Sequence, residues 1–261
     1  MLRLHRLSDD QKVALRRLSE EKYGDVICYP ECMRDEFDRR LEELKKLGVK
    51  AIEFLGEKTV CNQRVLGKGN VGIVVKAHLE SGRVALKIRR TDADRATMMH
   101  EANMLQKANS VNVGPRLLGA TANFLVMEYV DGKLLPEWVQ SFSEGDASER
   151  LRRVLRSVLQ QAWRLDEAKL DHGELSNAAK HVIVRADDEP CLVDFETASI
   201  MRRVSNVTSL CQFLLLRSST AELVKKKLGH IDEVGLLEAL RRYKCERSGE
   251  SFSTILNECR V

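Results

Sequence analysis

Three glycines in the stretch Gly67-Lys68-Gly69-Asn70-Val71-Gly72-Ile73-Val74 limit what this chain can fold into more than any other feature, because β-branched residues follow them directly. Lacking Cβ atoms, the glycines let backbone amides close on an anion. A dinucleotide-binding turn has the same spacing, but there the glycines open a helix. Ile73, Val74 and Val75 favour an extended strand instead. The glycines therefore read as a flap between two strands. From residue 59 onward, Val65, Val71, Ile73, Val74, Val75, Val84 and Leu86 are interrupted by glycines, a pattern that predicts twisted strands joined by turns.

Val84-Ala85-Leu86-Lys87 then places a lysine inside an apolar strand. That position is costly unless the ammonium meets an anion, such as the α- and β-phosphates of ATP. Thr91 to Asn109 returns to helical spacing and carries Glu101, the natural partner to orient Lys87. Asn123 to Tyr129 reads as a short buried strand, ending at the turn signal Asp131-Gly132. The chain beyond is mainly helical, except that Val182 to Val184 and Leu192 to Val193 flank Asp187, Asp188 and Pro190 and predict a hairpin.

Two acidic motifs lie just outside those strands, Asp171-His172-Gly173-Glu174-Leu175-Ser176 and Val193-Asp194-Phe195-Glu196. Phosphoryl transfer needs a group that accepts or orients the attacking hydroxyl's proton, and an acid that holds Mg²⁺ against the ATP phosphates. Glu174 suits the first role and Asp194 the second. Asp166, Asp171 and Glu196 either add acid to the site or are helix-end and solvated charges. His172-Gly173-Glu174 followed by Pro190-Cys191 also approaches the zinc-deaminase signature, which requires a cysteine where this chain has Asp194.

Glycine loop, lysine, helix glutamate, H-G-acid and D-F motif together resemble the protein-kinase-like superfamily, and within it the RIO-like atypical kinases of archaea. His172-Gly173-Glu174-Leu175-Ser176 is similar to their H-G-D-L-S catalytic loop, and Asp194-Phe195-Glu196 to their metal-binding D-F-G or I-D-F segment. The likeness covers residues 60 to 215. It implies an α+β, protein-kinase-like two-lobed fold: a short helical N-terminal extension (1–58), a β-rich N-lobe (59–130) and a reduced helical C-lobe (131–261). Only 67 residues follow Asp194, without an A-P-E sequence, which favours a trimmed RIO-like C-lobe over that of a conventional eukaryotic protein kinase.

The resemblance further implies ATP and Mg²⁺ as cofactors. Gly67, Lys68, Gly69, Asn70, Gly72, Val74, Lys87 and Glu101 would surround the nucleotide, with backbone groups of Met127, Glu128 and Tyr129 at its adenine. Lys87, Glu174 and Asp194 would be the catalytic residues, Asp194 as metal ligand. The family's asparagine, five residues after the catalytic acid, is Ala179 here. Either His181 or Asn177 would complete the metal site; alternatively His181 touches phosphate or substrate, or caps the strand. The branch this chain resembles most includes kinases acting on a ribose 2′-hydroxyl of tRNA, so tRNA is one implied acceptor and a Ser/Thr protein substrate the other. A nucleotide-binding scaffold without catalysis is a third reading, because Glu174 stands where the family has aspartate and reaches one methylene further.

The 261 residues hold 43 Lys plus Arg against 39 Asp plus Glu, a net charge of +4. The surplus concentrates in the β-rich part, where Arg64, Lys68, Lys76, Arg83, Lys87, Arg89, Arg90, Arg95, Lys107 and Arg116 have few acids among them in sequence. Those residues, with Arg202 and Arg203, are either contacts to a polyanion such as RNA or a solvated surface. Residues 8 to 22 and 32 to 47 have helical spacing, with Ser8 and Pro30 as start signals. Seven scattered cysteines without a CxxC pair fit neither a disulfide framework nor a zinc ribbon, and suggest small core hydrophobes in a reducing cytoplasm. No run of about 18 apolar residues exists, and Met1 to Asp10 lacks the apolar stretch of a signal peptide. A cytoplasmic protein without a membrane partner is expected, and nothing in the sequence specifies an oligomeric state.

Overall fold

A computed structural model describes residues 12–142 and 147–261 of the chain. Two compact units emerge, Met1–Asn103 with Arg116–Tyr129 (unit 1) and Met104–Pro115 with Val130–Val261 (unit 2). Unit 1 is built on a sheet and unit 2 is mainly helical, so the α+β class holds.

The elements of unit 1 begin with β1 (Lys12–Ala14), α1 (Glu21–Ile27), α2 (Arg34–Lys46) and β2 (Ala51–Glu53). Next come β3 (Lys58–Val60), β4 (Gln63–Val65), β5 (Gly67–Lys68), β6 (Gly72–Leu79) and β7 (Gly82–Arg89). α3 (Met99–Asn109), β8 (Leu117–Ala120) and β9 (Phe124–Glu128) follow, the last part of α3 belonging to unit 2. The main sheet runs β1-β2-β6-β7-β9-β8, with β5 added to β6 and β3-β4 as a separate pair. Alternation sets its faces: Ile73, Val75 and Ala77 of β6 and Val84, Leu86 and Ile88 of β7 are buried in one core with Tyr23, Val26, Ile27, Phe37 and Leu44 of α1 and α2.

Three sequence expectations change here. Residues 12–14, inside the expected helix over 8 to 22, form β1 instead, because Val13 pairs with Ile52 and is only 1% exposed; long-range pairing overrides helical spacing. Ser8, the expected helix start, lies outside the described residues. Residues 1–58 were expected as a helical extension, yet β2 pairs with β6 through Ala51 and His78 and carries β1 on its far side, so the described part of this segment contributes two strands to the sheet of unit 1 as well as α1 and α2. The helix expected over Thr91 to Asn109 starts only at Met99, the chain before it being tied down by Thr91 N–H on Tyr29 O (2.8 Å) and Arg90 on Asp92 (2.6 Å).

Arg40, which sits in a helix rich in exposed charge, is fully buried. Its guanidinium donates to Ile27 O and Arg89 O (both 2.6 Å) and to Asn123 Oδ1 (3.1 Å), and pairs with Glu36 (2.7 Å). One planar fork thus ties α1, α2 and the chain around β7 and β9 together.

Unit 2 continues with β10 (Gly132–Leu134), α4 (Leu135–Gln140), α5 (Ala147–Glu167), β11 (Val182–Arg185), β12 (Pro190–Leu192), α6 (Asn206–Cys211), α7 (Ser219–Leu228), α8 (Glu233–Glu246) and α9 (Gly249–Glu258). Leu151, Val154, Leu155, Val158, Leu159, Ala162 and Leu165 bury one stripe of α5 at helical spacing. The expected hairpin forms as β11-β12 and gains β10 as a third antiparallel strand. Gln161 holds it to α5, donating to Pro190 O (2.6 Å) and accepting from Leu192 N–H (3.2 Å). Ser218, Asp232 and Ser248 cap α7, α8 and α9. All seven cysteines are free thiols; Cys28, Cys191, Cys211 and Cys259 are buried, Cys61 is half-buried, and Cys32 and Cys245 are exposed. No helix among the described residues is long and apolar enough to cross a membrane.

Removing the Arg40 fork leaves buried acceptors without donors, so Arg40→Ala should destabilise unit 1 by about 3 kcal/mol. Arg40→Lys should recover only part of this, since an ammonium cannot span three acceptors. Urea unfolding followed by backbone circular dichroism checks both; wild-type stability in Arg40→Ala would show that the network is incidental.

Candidate functional site

The sequence-predicted residues gather in two groups, one in each unit. In unit 1 the glycines form a tight hairpin: Gly67 pairs with Val74, Lys68 with Ile73, and Gly69 N–H donates to Gly72 O (2.8 Å). Val74 in turn pairs with Lys87, and Lys87 with Leu125, so one row of the sheet runs from the loop to the lysine. Lys87 and Glu101 are each 4% exposed. The ammonium lies 3.0 Å from Oε1 and 2.9 Å from Oε2 of Glu101. A Cβ at Gly72 would come within 2.9 Å of Ile88 O and 3.2 Å of the Lys87 stem, which explains glycine at the point where the loop crosses the lysine.

Lys68 leans on Tyr29, its Nζ 2.8 Å from the phenol oxygen and 4.6 Å from the ring centre. Asn70 lies at the exposed tip of the hairpin. Met127 and Glu128 end β9 and Tyr129 follows them. Glu128 N–H donates to Arg116 O (2.9 Å), so one backbone group expected at the adenine is committed to the sheet. The Tyr129 ring lies 5.4 Å from Lys76 Nζ.

In unit 2, Glu174, His181 and Asp194 bring one ligand atom each within 4.8 Å of one another. His181 Nε2 is 3.1 Å from Glu174 Oε2, while its Nδ1 is buried without a hydrogen-bond partner. A carboxylate, an imidazole and a second carboxylate in one small space are a donor set that fits a divalent cation. Asn177, the other candidate ligand, lies exposed at the kink of a short 3₁₀ turn (Leu175–Lys180). Of the two alternatives, His181 is the residue brought to the carboxylates.

Local geometry around these residues is tightly specified. Asp194 adopts φ +71°, a left-handed conformation that L side chains enter at a cost of about 1–2 kcal/mol. Phe195 beside it is buried, its ring 5.0 Å from His172 and packed so close to Gly114 that a Cβ there would fall 2.8 Å from it. His172 N–H donates to Asn206 Oδ1 (2.8 Å), and Asn206 Nδ2 donates to Leu170 O and Asp166 Oδ1 (both 2.8 Å). Asp166 also accepts from Val207 N–H (3.3 Å) and Tyr243 OH (3.0 Å). Burial raises the Asp166 carboxyl above its usual range against these donors, and burial with the Asp166 charge pushes the Tyr243 phenol upward. Asp171 exchanges backbone bonds with Ser199 (2.9 and 2.8 Å) and pairs with Arg202 (2.9 Å). Asp166 and Asp171 therefore hold the loop in place. Asn206 was missed by sequence reasoning; Ser205-Asn206 reads only as a helix start, and nothing local reveals a bond to a backbone 34 residues away.

The expected cationic surplus in the β-rich part is matched by acids at Lys76, Lys87 and Arg90, while Arg89 and Arg64 are held by neutral oxygens. Lys76 meets Glu53 (3.1 Å), Arg90 meets Asp92 (2.6 Å), Arg89 donates to Asn123 Oδ1 (3.0 Å), and Arg64 donates to Gly56 O (2.6 Å). Arg203 caps Lys244 O (2.8 Å). Acids distant in sequence, Glu53 above all, supply charge that the local composition lacked.

A family model described as protein tyrosine and serine/threonine kinase matches residues 60–218. The serine/threonine-protein kinase YabT of Bacillus subtilis (strain 168) is 30% identical over 126 residues, covering 42% of this chain and 36% of the relative. The chain thus spans about a third of that relative's length.

Burial, reinforced by the charge of His181, lowers His172 from 6.5 to about 4 against the Val193 O hydrogen bond. The unfolded chain takes up this proton below pH 6.5, while the folded chain resists it until pH 4. Stability should therefore fall as pH drops through that window, by up to about 3 kcal/mol from this group. Both tryptophans, Trp138 and Trp163, lie in unit 2. Urea unfolding followed by their fluorescence from pH 7 to 4 should show the loss, and His172→Gln should flatten it; an unchanged slope would assign the effect elsewhere.

Proposed function

The chain belongs to the protein tyrosine and serine/threonine kinase family, and we propose that it transfers the γ-phosphoryl group of ATP to a serine or threonine hydroxyl of a protein. The observation that carries this reading is the buried Lys87–Glu101 pair beneath the glycine hairpin. An ammonium taken out of water is retained where it has an anion to hold, and Glu101 aims it.

Each unit contributes part of the chemistry. In unit 1 the hairpin from Gly67 to Gly72 lies over the triphosphate, Val74 packs against the nucleotide, and Lys87 neutralises phosphate oxygens. Met127 to Tyr129 meet the adenine through backbone groups. In unit 2 Asp194 and His181 hold the divalent ion, and Glu174 orients the acceptor hydroxyl and draws on its proton. Mg²⁺, when bound, neutralises the phosphate charge that grows during transfer. Glu174, one methylene longer than the family's aspartate, is steadied by its 3.1 Å contact with His181. The short stretch from Asp194 to the start of α6 at Asn206 supports a trimmed, RIO-like arrangement.

The protein acceptor is preferred because the YabT relative is named a serine/threonine-protein kinase. The tRNA acceptor rested on resemblance and on cations, several of which are matched by acids within unit 1. Labelled ATP with Mg²⁺ and parallel protein and tRNA acceptors separates the readings: phosphate on serine or threonine is expected, and label on tRNA alone would overturn the protein reading. Lys87→Met should lower transfer at least ~100-fold with the fold intact. If Glu174→Gln leaves transfer unchanged, Glu174 does not orient the acceptor; ATP binding without transfer to either acceptor would make the chain a nucleotide-binding scaffold.

Histidine nitrogen suits Mn²⁺ better than Mg²⁺, which prefers oxygen. Wild-type activity should be higher with Mn²⁺, and His181→Asn should shift the preference toward Mg²⁺. Identical metal profiles in the two proteins would remove His181 from the ion.

A further inference from the structure

Unit 2 carries another concentration of charge, on elements that supply no ligand atom to the Glu174, His181 and Asp194 cluster. A pocket of about 410 Å³ is lined by Arg152, Arg153 and Arg156 of α5 and by Arg260 and Val261 beyond α9, with Glu149 as its one acidic side chain. Helical spacing stacks Arg152 and Arg156 one turn apart with Arg153 beside them, an arrangement of like charges that is unfavourable by itself.

No guanidinium of the four forms an ion pair among the described residues. Arg152 donates to the main-chain oxygens of Arg260 and Leu228, and Arg156 to Val261 O at 2.9 Å. These bonds fix two of the forks without calling on an acidic side chain. Other cations of unit 2 are treated differently: Arg150 grips Asp188 through two bonds (2.7 and 2.6 Å), Arg242 meets Glu246 (2.9 Å) and Glu250 (3.3 Å), and Lys225 meets Glu222 and Glu233 (both 3.1 Å). Four guanidiniums without an acidic side-chain partner among the described residues are thereby gathered in one concave place.

We propose that this pocket binds a compact polyphosphate, a small molecule carrying two or more linked phosphate groups. Guanidinium forks take phosphate oxygens two at a time, so four arginines suffice for two or three phosphates. Forks already held by main-chain carbonyls lose little freedom on binding. The volume lies in the range of small-ligand sites. A nucleic-acid strand would need a row of some 6–10 phosphate contacts for comparable affinity, and the ion pairs at Arg150, Arg242 and Lys225 interrupt any such row.

Calorimetric titration of inorganic tripolyphosphate into the full chain tests this, with Lys87→Met as the parent so that the lysine expected to hold ATP phosphates does not contribute. Binding should persist in that parent and weaken at least ~10-fold on adding Arg153→Glu or Arg260→Glu, each reversing a charge. Arg153 is exposed and makes no side-chain bond among the described residues, so Arg153→Glu should retain the wild-type melting temperature and, in the Lys87 protein without polyphosphate, the wild-type kinase activity. Absence of binding in the Lys87→Met parent, or equal affinity with and without Arg153→Glu, would overturn the site. Tighter binding of a single-stranded RNA oligomer, with a salt dependence of about six or more phosphates, would also overturn it in favour of a nucleic-acid surface.

Discussion

A lysine ammonium inside an apolar strand is the constraint on which unit 1 is organised. Lys87 cannot stay charged at 4% exposure without a partner, and Glu101 supplies one from the first turn of α3. Satisfying that pair ranks the surrounding elements. β7 must lie inside the sheet, flanked by β6 and β9, and α3 must begin where Glu101 can reach. Residue 72 must also lack a side chain so that the loop can cross the lysine stem. Arg40 repeats the device two residues further along β7, at its C-terminal end, where one buried cation joins helices, strand end and loop through hydrogen bonds.

Unit 2 uses a buried carboxylate in the converse way. Asp166 gathers donors from Asn206, Val207 and Tyr243, and Asn206 passes the order on to the backbone of His172. Two residues further on stands Glu174. Gln161 does the same for the hairpin that leads into Asp194, satisfying one donor and one acceptor of β12 from the middle of α5. The loop carrying Glu174 and the turn carrying Asp194 are therefore positioned by side chains that touch neither. Groups held by buried polar networks are pre-organised, and the phosphoryl transfer proposed for this chain would depend on that, since its catalysis is mostly position and charge.

Much of this was legible from residue order. The glycine spacing before Ile73 correctly implied a strand-flanked loop, and Val84-Ala85-Leu86-Lys87 a buried strand, because alternation and β-branching are local signals. The hairpin around Asp188 and the strand at Phe124–Glu128 were equally local. Sequence reasoning failed where partners were remote. β1 carries helical spacing but is made by Ile52, and Arg40 resembles any other charge of a solvated helix. Asn206 acts over 34 residues, and the few acids near the basic stretch are supplemented by Glu53 and Glu101 only after folding.

What the sequence by itself determined was the set of reactive groups and the strands and turns nearest them: three glycines, a lysine, a glutamate, and two acidic motifs in an order that fits phosphoryl transfer. Such features depend on residue type and short spacing, which are complete in the chain before it folds. Only the tertiary structure decided that His181 rather than Asn177 joins Glu174 and Asp194, that residues 12–14 and 51–53 complete a sheet, and that four arginines of α5 and the C-terminal segment share one pocket. Those outcomes depend on which distant side chains are brought within a few ångströms, and burial and long-range hydrogen bonding settle that, whereas spacing along the chain does not.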